Sequence, residues 1–176
     1  CHPTYALLIM IKVEHLYKGF DGTPVLKDIS LEYEAGKCNM IIGASGSGKT
    51  VLLKNLIGLM KPDSGEISYN GMKLSEMDYK AQKLLRQQIG VLFQGSALFD
   101  FATVLENVMF PMEQVHVPLS KAKARAKEMM KKVGLEESQF KRFPAMISGG
   151  EKQRVAIAGV MAMRTKCIIL DEPTAM

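Results

Sequence analysis

The chain has 176 residues, a formal net charge of +5 and 47% hydrophobic residues. A chain of this length forms one domain, or one domain with a lobe, and buries about 70% of its unfolded surface. Its three cysteines lie far apart without the spacing of metal ligands, which argues against a cysteine-bound metal and predicts reduced thiols.

The first hydrophobic segment, residues 6–11, is far shorter than the roughly 20 residues that a membrane span needs. It lacks the basic flank and the cleavage pattern of a signal peptide. We therefore expect a cytosolic chain that has an N-terminal extension over residues 1–10, with Met10 as a candidate for the natural start.

The first predicted elements are strands. Residues 11–16 and 29–34 alternate or mix apolar and polar side chains, as partly exposed strands do. Further along, residues 65–71 predict another strand that ends in a hairpin-like turn at Asn70-Gly71. Together these segments predict an antiparallel lobe.

A glycine-rich loop lies between the second and third of these strands. It matches the phosphate-binding pattern G-x-x-x-x-G-K-[ST] with Gly43, Ala44, Ser45, Gly46, Ser47, Gly48, Lys49 and Thr50. The apolar residues 38–42 before it predict a buried strand, and residues 51–60 after it place apolar side chains at helical spacing. Strand, loop and helix thus stand in the order that such a loop requires.

The chemistry of this loop is specific. Glycines reach backbone angles that are closed to other residues, and they can turn a row of N–H groups inward onto phosphate oxygens at the start of a helix. Lys49 would add a positive charge at the outer phosphates, and the Thr50 hydroxyl would be a ligand for Mg²⁺. The pattern predicts a bound nucleotide with magnesium.

Helical patterns follow in the middle of the chain. Residues 77–88 predict a polar helix, which leads to an apolar strand at residues 89–93. From about residue 102 to residue 145 the pattern is helical. We predict breaks in this region at Pro111, Pro118, Gly134 and Pro144.

Residues 121–132 carry much of the positive charge, and their regular alternation ends at Gly134 as a helix does. Aromatic residues that could stack on bases are not interleaved with these lysines and arginines. We interpret the segment as a solvated helix face and expect no nucleic-acid partner.

A second helix start is predicted at residues 147–158. Ser148 is a good N-cap, and Glu151 three residues later completes a capping box. Gly149 and Gly150 would let a phosphate approach the backbone, where the helix dipole favours negative charge. Considered alone, this pattern is more often a plain capped helix without a ligand.

The last predicted strand, residues 167–170, is wholly apolar and is followed by the carboxylates of Asp171 and Glu172. Ligands of open α/β sheets bind at this edge. In phosphoryl transfer the first carboxylate can hold Mg²⁺, and the second can orient or deprotonate the attacking water. A solvated turn is the common alternative, which the upstream phosphate loop disfavours.

Taken together, the motifs resemble the nucleotide-binding domain of ABC-type ATPases over nearly the whole chain. Residues 43–50 match the Walker A loop, residues 147–151 resemble the Leu-Ser-Gly-Gly-Gln signature, and residues 167–172 match Walker B with its following glutamate. The resemblance implies an α/β fold: a P-loop NTPase core with a mainly parallel central sheet, an antiparallel β lobe and a helical subdomain. It places the ATPase domain at residues 11–176 and the helical subdomain at about 95–146.

The resemblance also implies roles for individual residues. Gln94 is similar to the family's Q-loop glutamine, so Gln94 and Glu172 are the predicted catalytic residues, and Thr50, Gln94 and Asp171 are the predicted Mg²⁺ ligands. Phe20 falls where the family has an aromatic that stacks on adenine, with Tyr17 as the nearby competitor. The full set of predicted ATP-binding residues is Phe20, Gly43, Ala44, Ser45, Gly46, Ser47, Gly48, Lys49, Thr50, Gln94, Ser148, Gly149, Gly150 and Glu151.

Two kinds of partner are implied as well. Two such domains pair head to tail, and each signature helix closes on the γ-phosphate held by the opposite Walker A loop. Integral membrane permease subunits would hold the protein at the inner face of the cell membrane, which it contacts only through them. The chain departs from the family pattern at Glu151, which stands for Gln, and at Gly159, which stands for Arg.

Residues 90–100 narrow the resemblance to the ATPases of Mce-type lipid-transport systems, which implies an ATPase that energises lipid transport. Importers of amino acids and ATPases for lipoprotein release share parts of this pattern and remain alternatives. Phe99 and Phe101 are expected either in the subdomain core or on the permease-docking surface. Since the family continues with a D-loop and a switch histidine after the position of Met176, a module that binds ATP without turnover is the alternative from another class.

Overall fold

A four-stranded antiparallel sheet forms much of the first half of the computed structural model, which describes residues 9–93 and 98–171. The strands lie in the order β2-β1-β3-β4. Their bounds are Ile11–Phe20 (β1), Thr23–Tyr33 (β2), Ser64–Tyr69 (β3) and Met72–Lys73 (β4). The predicted antiparallel lobe is confirmed, and its first two strands are longer than the sequence pattern indicated.

Tight turns with positive φ angles connect the strands of this sheet. Asp21 and Gly22 join β1 to β2 with φ of 48° and 78°, and Asn70 and Gly71 join β3 to β4 with φ of 49° and 83°. Two residues with positive φ give a turn whose twist matches that of the flanking strands. The predicted turn at Asn70-Gly71 is confirmed.

Helix α1 (Lys49–Leu56) follows the glycine-rich loop and is shorter than the predicted helix. The chain leaves the helix at Gly58, which has a φ of 68°, and the N–H groups of Leu59 and Met60 both donate to the carbonyl of Lys54. These bonds satisfy the Lys54 carbonyl at the helix end, and the helix stops before the proline that the sequence suggested as its limit.

The core of the first half lies between the sheet and α1. The buried Tyr69 hydroxyl donates a hydrogen bond to the carbonyl of Leu56 and so ties β3 to the end of the helix. Burying side chains of this size contributes about 1.5–3 kcal/mol each. The buried apolar residues here include Ile11, Val13, Leu16, Leu26, Leu52, Leu53, Leu56, Ile67 and Tyr69.

Helix α2 (Tyr79–Gln87) confirms the predicted polar helix. Asp78 caps it by accepting a hydrogen bond of 2.7 Å from the N–H of Ala81. Strand β5 (Ile89–Leu92) follows, and it pairs with β6 (Cys167–Leu170) in a parallel two-stranded sheet.

The segment at residues 38–42 contradicts the prediction of a buried strand. No described strand pairs with it, Cys38 is exposed, and Met40 and Ile42 are 78% and 86% exposed. A continuous apolar run indicates a preference for burial, but a strand also needs neighbours to bond its N–H and C=O groups. Apolar composition alone could not supply those neighbours.

By contact, the chain divides into two compact units, Cys1–Ile89 and Gly90–Met176. The second contains α3 (Val104–Gln114), α4 (Leu119–Lys132) and α5 (Gly149–Ala162), joined in part by short 3₁₀ turns. Their facing sides form one apolar cluster that includes Val104, Val108, Met112, Ala122, Ala126, Met129, Met130, Leu135, Phe140, Val155 and Ala158. Among the described residues, no helix is both long and apolar enough to cross a membrane.

Three of the four predicted helix breaks are confirmed. Pro118 directly precedes α4, Gly134 follows α4 with a φ of 78°, and Pro144 begins a 3₁₀ turn. The predicted break at Pro111 is wrong because α3 continues through it. On both sides of the proline the helix buries apolar residues such as Val108 and Met112, and this packing outweighs the lost hydrogen bond.

Candidate functional site

The glycine-rich loop is exposed between residues 43 and 47 and enters α1 at Lys49. Gly46 and Gly48 have φ of 77° and 93°, a region that side chains rarely adopt. The N–H of Ser47 donates to the carbonyl of Ala44 at 3.2 Å, which makes a turn just before the helix. The predicted order of loop and helix is confirmed for this part of the motif.

Two glycines of the loop leave no room for a side chain. A Cβ added at Gly43 would lie 2.6 Å from Ser47 Oγ, and one added at Gly48 would lie 2.9 Å from Val25 Cγ1. The loop is therefore a cradle that a side chain at Gly43 would fill, whereas a side chain at Gly48 would collide with β2. Its backbone and the start of α1 fit a phosphate group, since helix N-termini and glycine loops attract anions.

Lys49 bends back over this cradle. Its Nζ donates hydrogen bonds to the carbonyls of Gly43 at 2.9 Å and Ala44 at 3.0 Å. The ammonium group thus lies at the mouth of the loop, where it can reach the oxygens of an entering phosphate. Thr50, the next residue of α1, brings a hydroxyl of the kind that Mg²⁺ takes as a ligand.

Phe20 lies at the end of β1 and is 42% exposed. Strand β2 connects it to the loop, because Val25 and Leu26 of β2 abut Gly48, while Leu26 pairs with Lys18 two residues before Phe20. Tyr17 is 41% exposed, so exposure does not separate the two aromatics. Phe20 is distinguished by a cation, since Lys18 Nζ lies 5.6 Å from the centroid of its ring.

Strand β6 ends at a buried carboxylate. Asp171 is 5% exposed, and its N–H donates to the carbonyl of Leu92, the last residue of β5, at 2.8 Å. The bond places Asp171 beside the end of the neighbouring strand, as the sequence predicts for a ligand-binding sheet edge. The predicted catalytic residues Gln94 and Glu172 lie outside the described residues.

The start of α5 has the capping box that the sequence predicts. Glu151 N–H donates to Ser148 Oγ, and Glu151 Oε2 accepts from the Ser148 N–H at 2.6 Å and from its hydroxyl at 2.7 Å. These bonds, the hydroxyl first, lower the pKa of Glu151. A Cβ at Gly150 would meet no atom within 4 Å, so the first turn is open on that side.

The sequence profile of the ABC transporter family matches residues 26–175. The chain belongs to the ABC transporter family. The resemblance to this family is thereby confirmed, while the narrower resemblance to Mce-type ATPases stays a prediction.

Relatives of known name agree with this membership. The chain is 39% identical over 172 residues to the methionine import ATP-binding protein MetN 2 of Enterococcus faecalis, covering 96% of this chain and 50% of the relative. It is 40% identical over 170 residues to the lipoprotein-releasing system ATP-binding protein LolD of Saccharophagus degradans, covering 94% and 74%. The chain thus spans only half the length of the first of these relatives.

Among solved structures, the dimeric ATP-binding cassette MJ0796 in a post-hydrolysis state bound to ADP and Pi matches with a TM-score of 0.84 and 32% sequence identity. The match covers 94% of this chain and 75% of the cassette. The predicted fold class is confirmed: an α/β ABC ATPase fold with an antiparallel lobe, a parallel sheet and helices.

Each unit of this ABC family chain holds part of the predicted site. The glycine loop and Phe20 belong to the first unit, whereas Asp171 and the capped start of α5 belong to the second. Within the second unit, Asp171 bonds to the end of β5 at Leu92, two residues before Gln94 in the sequence. That both units contribute to one nucleotide site stays a prediction.

Sequence reasoning missed Gln139, whose side-chain amide donates to Glu151 Oε1. Gln139 Oε1 accepts from the Glu136 N–H at 2.8 Å, so one side chain connects a 3₁₀ turn to the signature helix. The spacing of Glu136 and Gln139 is that of a capping box, which could have identified the local bond. Nothing in the sequence indicates the contact with Glu151.

An exposed aromatic patch lies just after the predicted Q-loop. It consists of Phe99, Phe101 and Phe110, which are 39%, 83% and 39% exposed. The Phe99 ring centroid lies 5.4 Å from that of Phe101 and 4.6 Å from that of Phe110. Of the two expectations for Phe99 and Phe101, the surface position is observed.

Asn107 holds the backbone under the aromatic patch. Its side-chain oxygen accepts from the Phe99 N–H at 2.7 Å, and its two amide N–H groups are shared among three carbonyls, those of Phe99, Ala102 and Thr103, at 3.0–3.1 Å. The residue is 8% exposed, and its carbonyl and amide groups match these backbone partners. The patch therefore has a defined backbone and is not carried by a free loop.

Proposed function

We propose that this protein is the ATP-binding and ATP-hydrolysing subunit of an ABC transporter. The observation that carries the proposal is the glycine cradle, with Lys49 at its mouth and α1 behind it. A triphosphate is bound by a glycine loop at a helix start together with a cation, because its negative charge must be balanced.

In the proposed mechanism the cradle and Lys49 bind the outer phosphates of ATP. Thr50, Gln94 and Asp171 are the proposed ligands of Mg²⁺, which when bound would neutralise charge on the phosphates. Gln94 and Glu172 orient the attacking water, with Glu172 as the group that accepts its proton. Phe20 holds the adenine ring by stacking.

A second copy of the chain is the proposed partner for catalysis. The α5 start, with its exposed Ser148 and the open side at Gly150, would close on the γ-phosphate held by the other copy. The capping box supports this proposal because it fixes the Ser148 hydroxyl at the helix end. The cassette MJ0796 is described as dimeric, which also supports it.

Permease subunits are the proposed second partner, through the aromatic patch of Phe99, Phe101 and Phe110. Large exposed aromatic side chains are typical of protein contacts, and the Asn107 hydrogen bonds preorganise this one. Docking there would place the chain at the cytoplasmic face of a membrane that it contacts only through these subunits.

Lipid is the cargo that we propose, from the resemblance of residues 90–100 to Mce-type ATPases. The relatives' names include import of methionine and of hemin, transport of cystine and release of lipoprotein, and only the last of these is a lipid-bearing cargo. These cargos can be distinguished after reconstitution with the permease that copurifies with the chain. The measurement compares ATP-dependent transport of labelled phospholipid with that of labelled methionine. Movement of methionine alone would overturn the lipid proposal.

Two variants, Lys49→Met and Lys54→Met, test the enzymatic part of the proposal. Their Mg-ATP binding and turnover are compared. Lys54 lies on the same helix but away from the loop, so it is the matched control. We expect Lys49→Met to lower ATP affinity by at least about tenfold, because a charged hydrogen bond to phosphate contributes about 1.5–3 kcal/mol, and Lys54→Met to leave it within about twofold.

Hydrolysis is judged separately from binding. Glu172→Gln should retain ATP binding but lose turnover, since it removes the proposed proton acceptor. Binding of ATP without measurable turnover by the unmodified chain, with or without added permease, would contradict the hydrolase proposal and leave a binding module. Equal ATP affinities of Lys49→Met and Lys54→Met would contradict the site itself.

A further inference from the structure

We propose that Asp63 and Lys18 are positioning residues that hold Phe20 as the platform for the nucleobase. The inference rests on the proposed function, because it assumes that the glycine loop binds a nucleotide. It adds two residues for which neither the motifs nor the family resemblance indicates a role.

Asp63 clamps three consecutive residues of β1. Its N–H donates to the Tyr17 carbonyl at 2.9 Å, its Oδ1 lies 2.6 Å from Lys18 Nζ, and its Oδ2 accepts from the Gly19 N–H at 2.8 Å. The Lys18 ammonium, and after it the Gly19 N–H, lower the pKa of Asp63. Both oxygens of the carboxylate thus bond to the strand end that leads to Phe20.

Lys18 connects Asp63 to the Phe20 ring. Its side chain is only 16% exposed, and its Nζ sits between the Asp63 carboxylate and the Phe20 ring, 5.6 Å from the ring centroid. A cation over the face of an aromatic ring is attracted to it. Since Asp63 fixes the cation, the cation restricts where the Phe20 ring can lie.

The sheet alone does not fix this strand end. The pairing of β1 with β2 shifts register between Leu16 and Lys18 and again between Lys18 and Gly19. At Gly19 an added Cβ would lie 2.9 Å from the Thr23 carbonyl oxygen, so the two strands approach too closely for a side chain. The regular β1–β2 hydrogen bonds are interrupted here, and the bonds from Asp63 hold the end of β1 in their place.

One strand separates this platform from the phosphate cradle. Lys18 pairs with Leu26 and Gly19 pairs with Pro24, while Val25 and Leu26 also abut Gly48. A ligand with phosphates in the cradle can therefore present its base at the β1 end. The clamp should affect the part of the affinity that comes from the base and spare the part that comes from the phosphates.

The test compares two probes, Mg-ATP and magnesium tripolyphosphate, which lacks a base, by calorimetry on the full chain. In Asp63→Ala and Lys18→Met we expect ATP affinity to fall about 3- to 30-fold, with tripolyphosphate affinity changed less than about twofold. Lys18→Arg keeps a cation for both contacts and should restore ATP affinity to within about threefold.

Matched controls come from the same sheet. Lys12→Met removes a lysine of β1 that pairs with Glu14, and Asp28→Ala removes a carboxylate of β2 that contacts His15. Both should leave the two affinities unchanged. Phe20→Ala reports how much affinity the platform itself contributes.

The outcomes separate the two proposals. If the unmodified chain binds neither probe, the proposed function fails. If it binds both, and Phe20→Ala loses ATP affinity while Asp63→Ala and Lys18→Met do not, the positioning role is overturned. It is overturned as well if Asp63→Ala and Lys18→Met lose both probes in parallel, since a general structural effect would not distinguish a base from no base.

Discussion

At the residue scale, Glu151 shows how a departure from a family pattern can be accommodated locally. The usual glutamine has only one acceptor oxygen, whereas both oxygens of the Glu151 carboxylate are used, Oε2 by Ser148 and Oε1 by Gln139. Ionisation suits these donors, so we expect the carboxylate to cap α5 more strongly than a glutamine would. The same carboxylate adds negative charge close to the proposed γ-phosphate position.

The lowered pKa of Glu151 predicts a pH-dependent contribution to stability. Because the folded-state pKa lies below the unfolded one, the contribution is fully present above the unfolded pKa and is lost as pH falls through the folded pKa. Glu151→Gln should therefore reduce the free energy of unfolding at neutral pH and have little effect in acid. Urea unfolding between pH 3 and pH 7 measures this.

Glu106 offers the matched comparison for that experiment. It occupies the equivalent capping box with Thr103 on α3, and Thr103 lowers its pKa as well. Glu106→Gln should show the same dependence on pH. The stability of Glu151→Gln relative to the unmodified chain could instead be the same at every pH. That result would show that the negative charge of Glu151 does not stabilise the cap.

At the element scale, α3 shows tertiary packing prevailing over local preference. Pro111 has no N–H for the carbonyl four residues earlier, yet the helix continues to Gln114. The buried Val104, Val108 and Met112 require one continuous helix against α4 and α5. The helix thus keeps a local defect because its apolar face gains more from the core.

That defect predicts a stabilising substitution. Pro111→Ala restores the missing donor, and a helix-interior proline is about 3 kcal/mol less favourable than alanine, so we expect the free energy of unfolding to rise by about 1–3 kcal/mol. Chemical denaturation measures the change. Glu113→Ala, an exposed position on the same helix, should stay within about 0.5 kcal/mol. Unchanged or reduced stability of Pro111→Ala would mean that the core requires the proline's geometry.

At the scale of the whole molecule, the proposed function requires the two units to act on one nucleotide. Lys49 belongs to the first unit and Asp171 to the second. If both serve the same Mg-ATP, their contributions to affinity must be coupled, because removing the metal ligand changes what the lysine can stabilise. Independent sites would give additive effects.

A double-mutant cycle with Lys49→Met and Asp171→Asn tests this coupling. We expect a coupling free energy of about 0.5–3 kcal/mol in the affinity for Mg-ATP, measured by calorimetry. The cycle of Lys54→Met with Asp171→Asn should be additive to within about 0.5 kcal/mol and serves as the control. Additivity in the Lys49 cycle would contradict a shared site.

The sequence by itself determined the features that depend on near neighbours in the chain. The glycine loop before α1, the capping box of Ser148 and Glu151, and the Asn70-Gly71 turn are each formed by residues at most seven positions apart. Their geometry follows from backbone angles and hydrogen bonds that a short segment can satisfy alone. For the same reason these motifs sufficed to identify the family.

Tertiary structure decided what depends on residues that are distant in the chain. The clamp of Asp63 on β1, the bond between Gln139 and Glu151, the continuation of α3 through Pro111 and the unpaired segment at residues 38–42 all depend on which elements become neighbours. Residue spacing and composition do not indicate which distant elements will be in contact. They are set when apolar faces are buried together and the remaining N–H and C=O groups find partners in the folded chain.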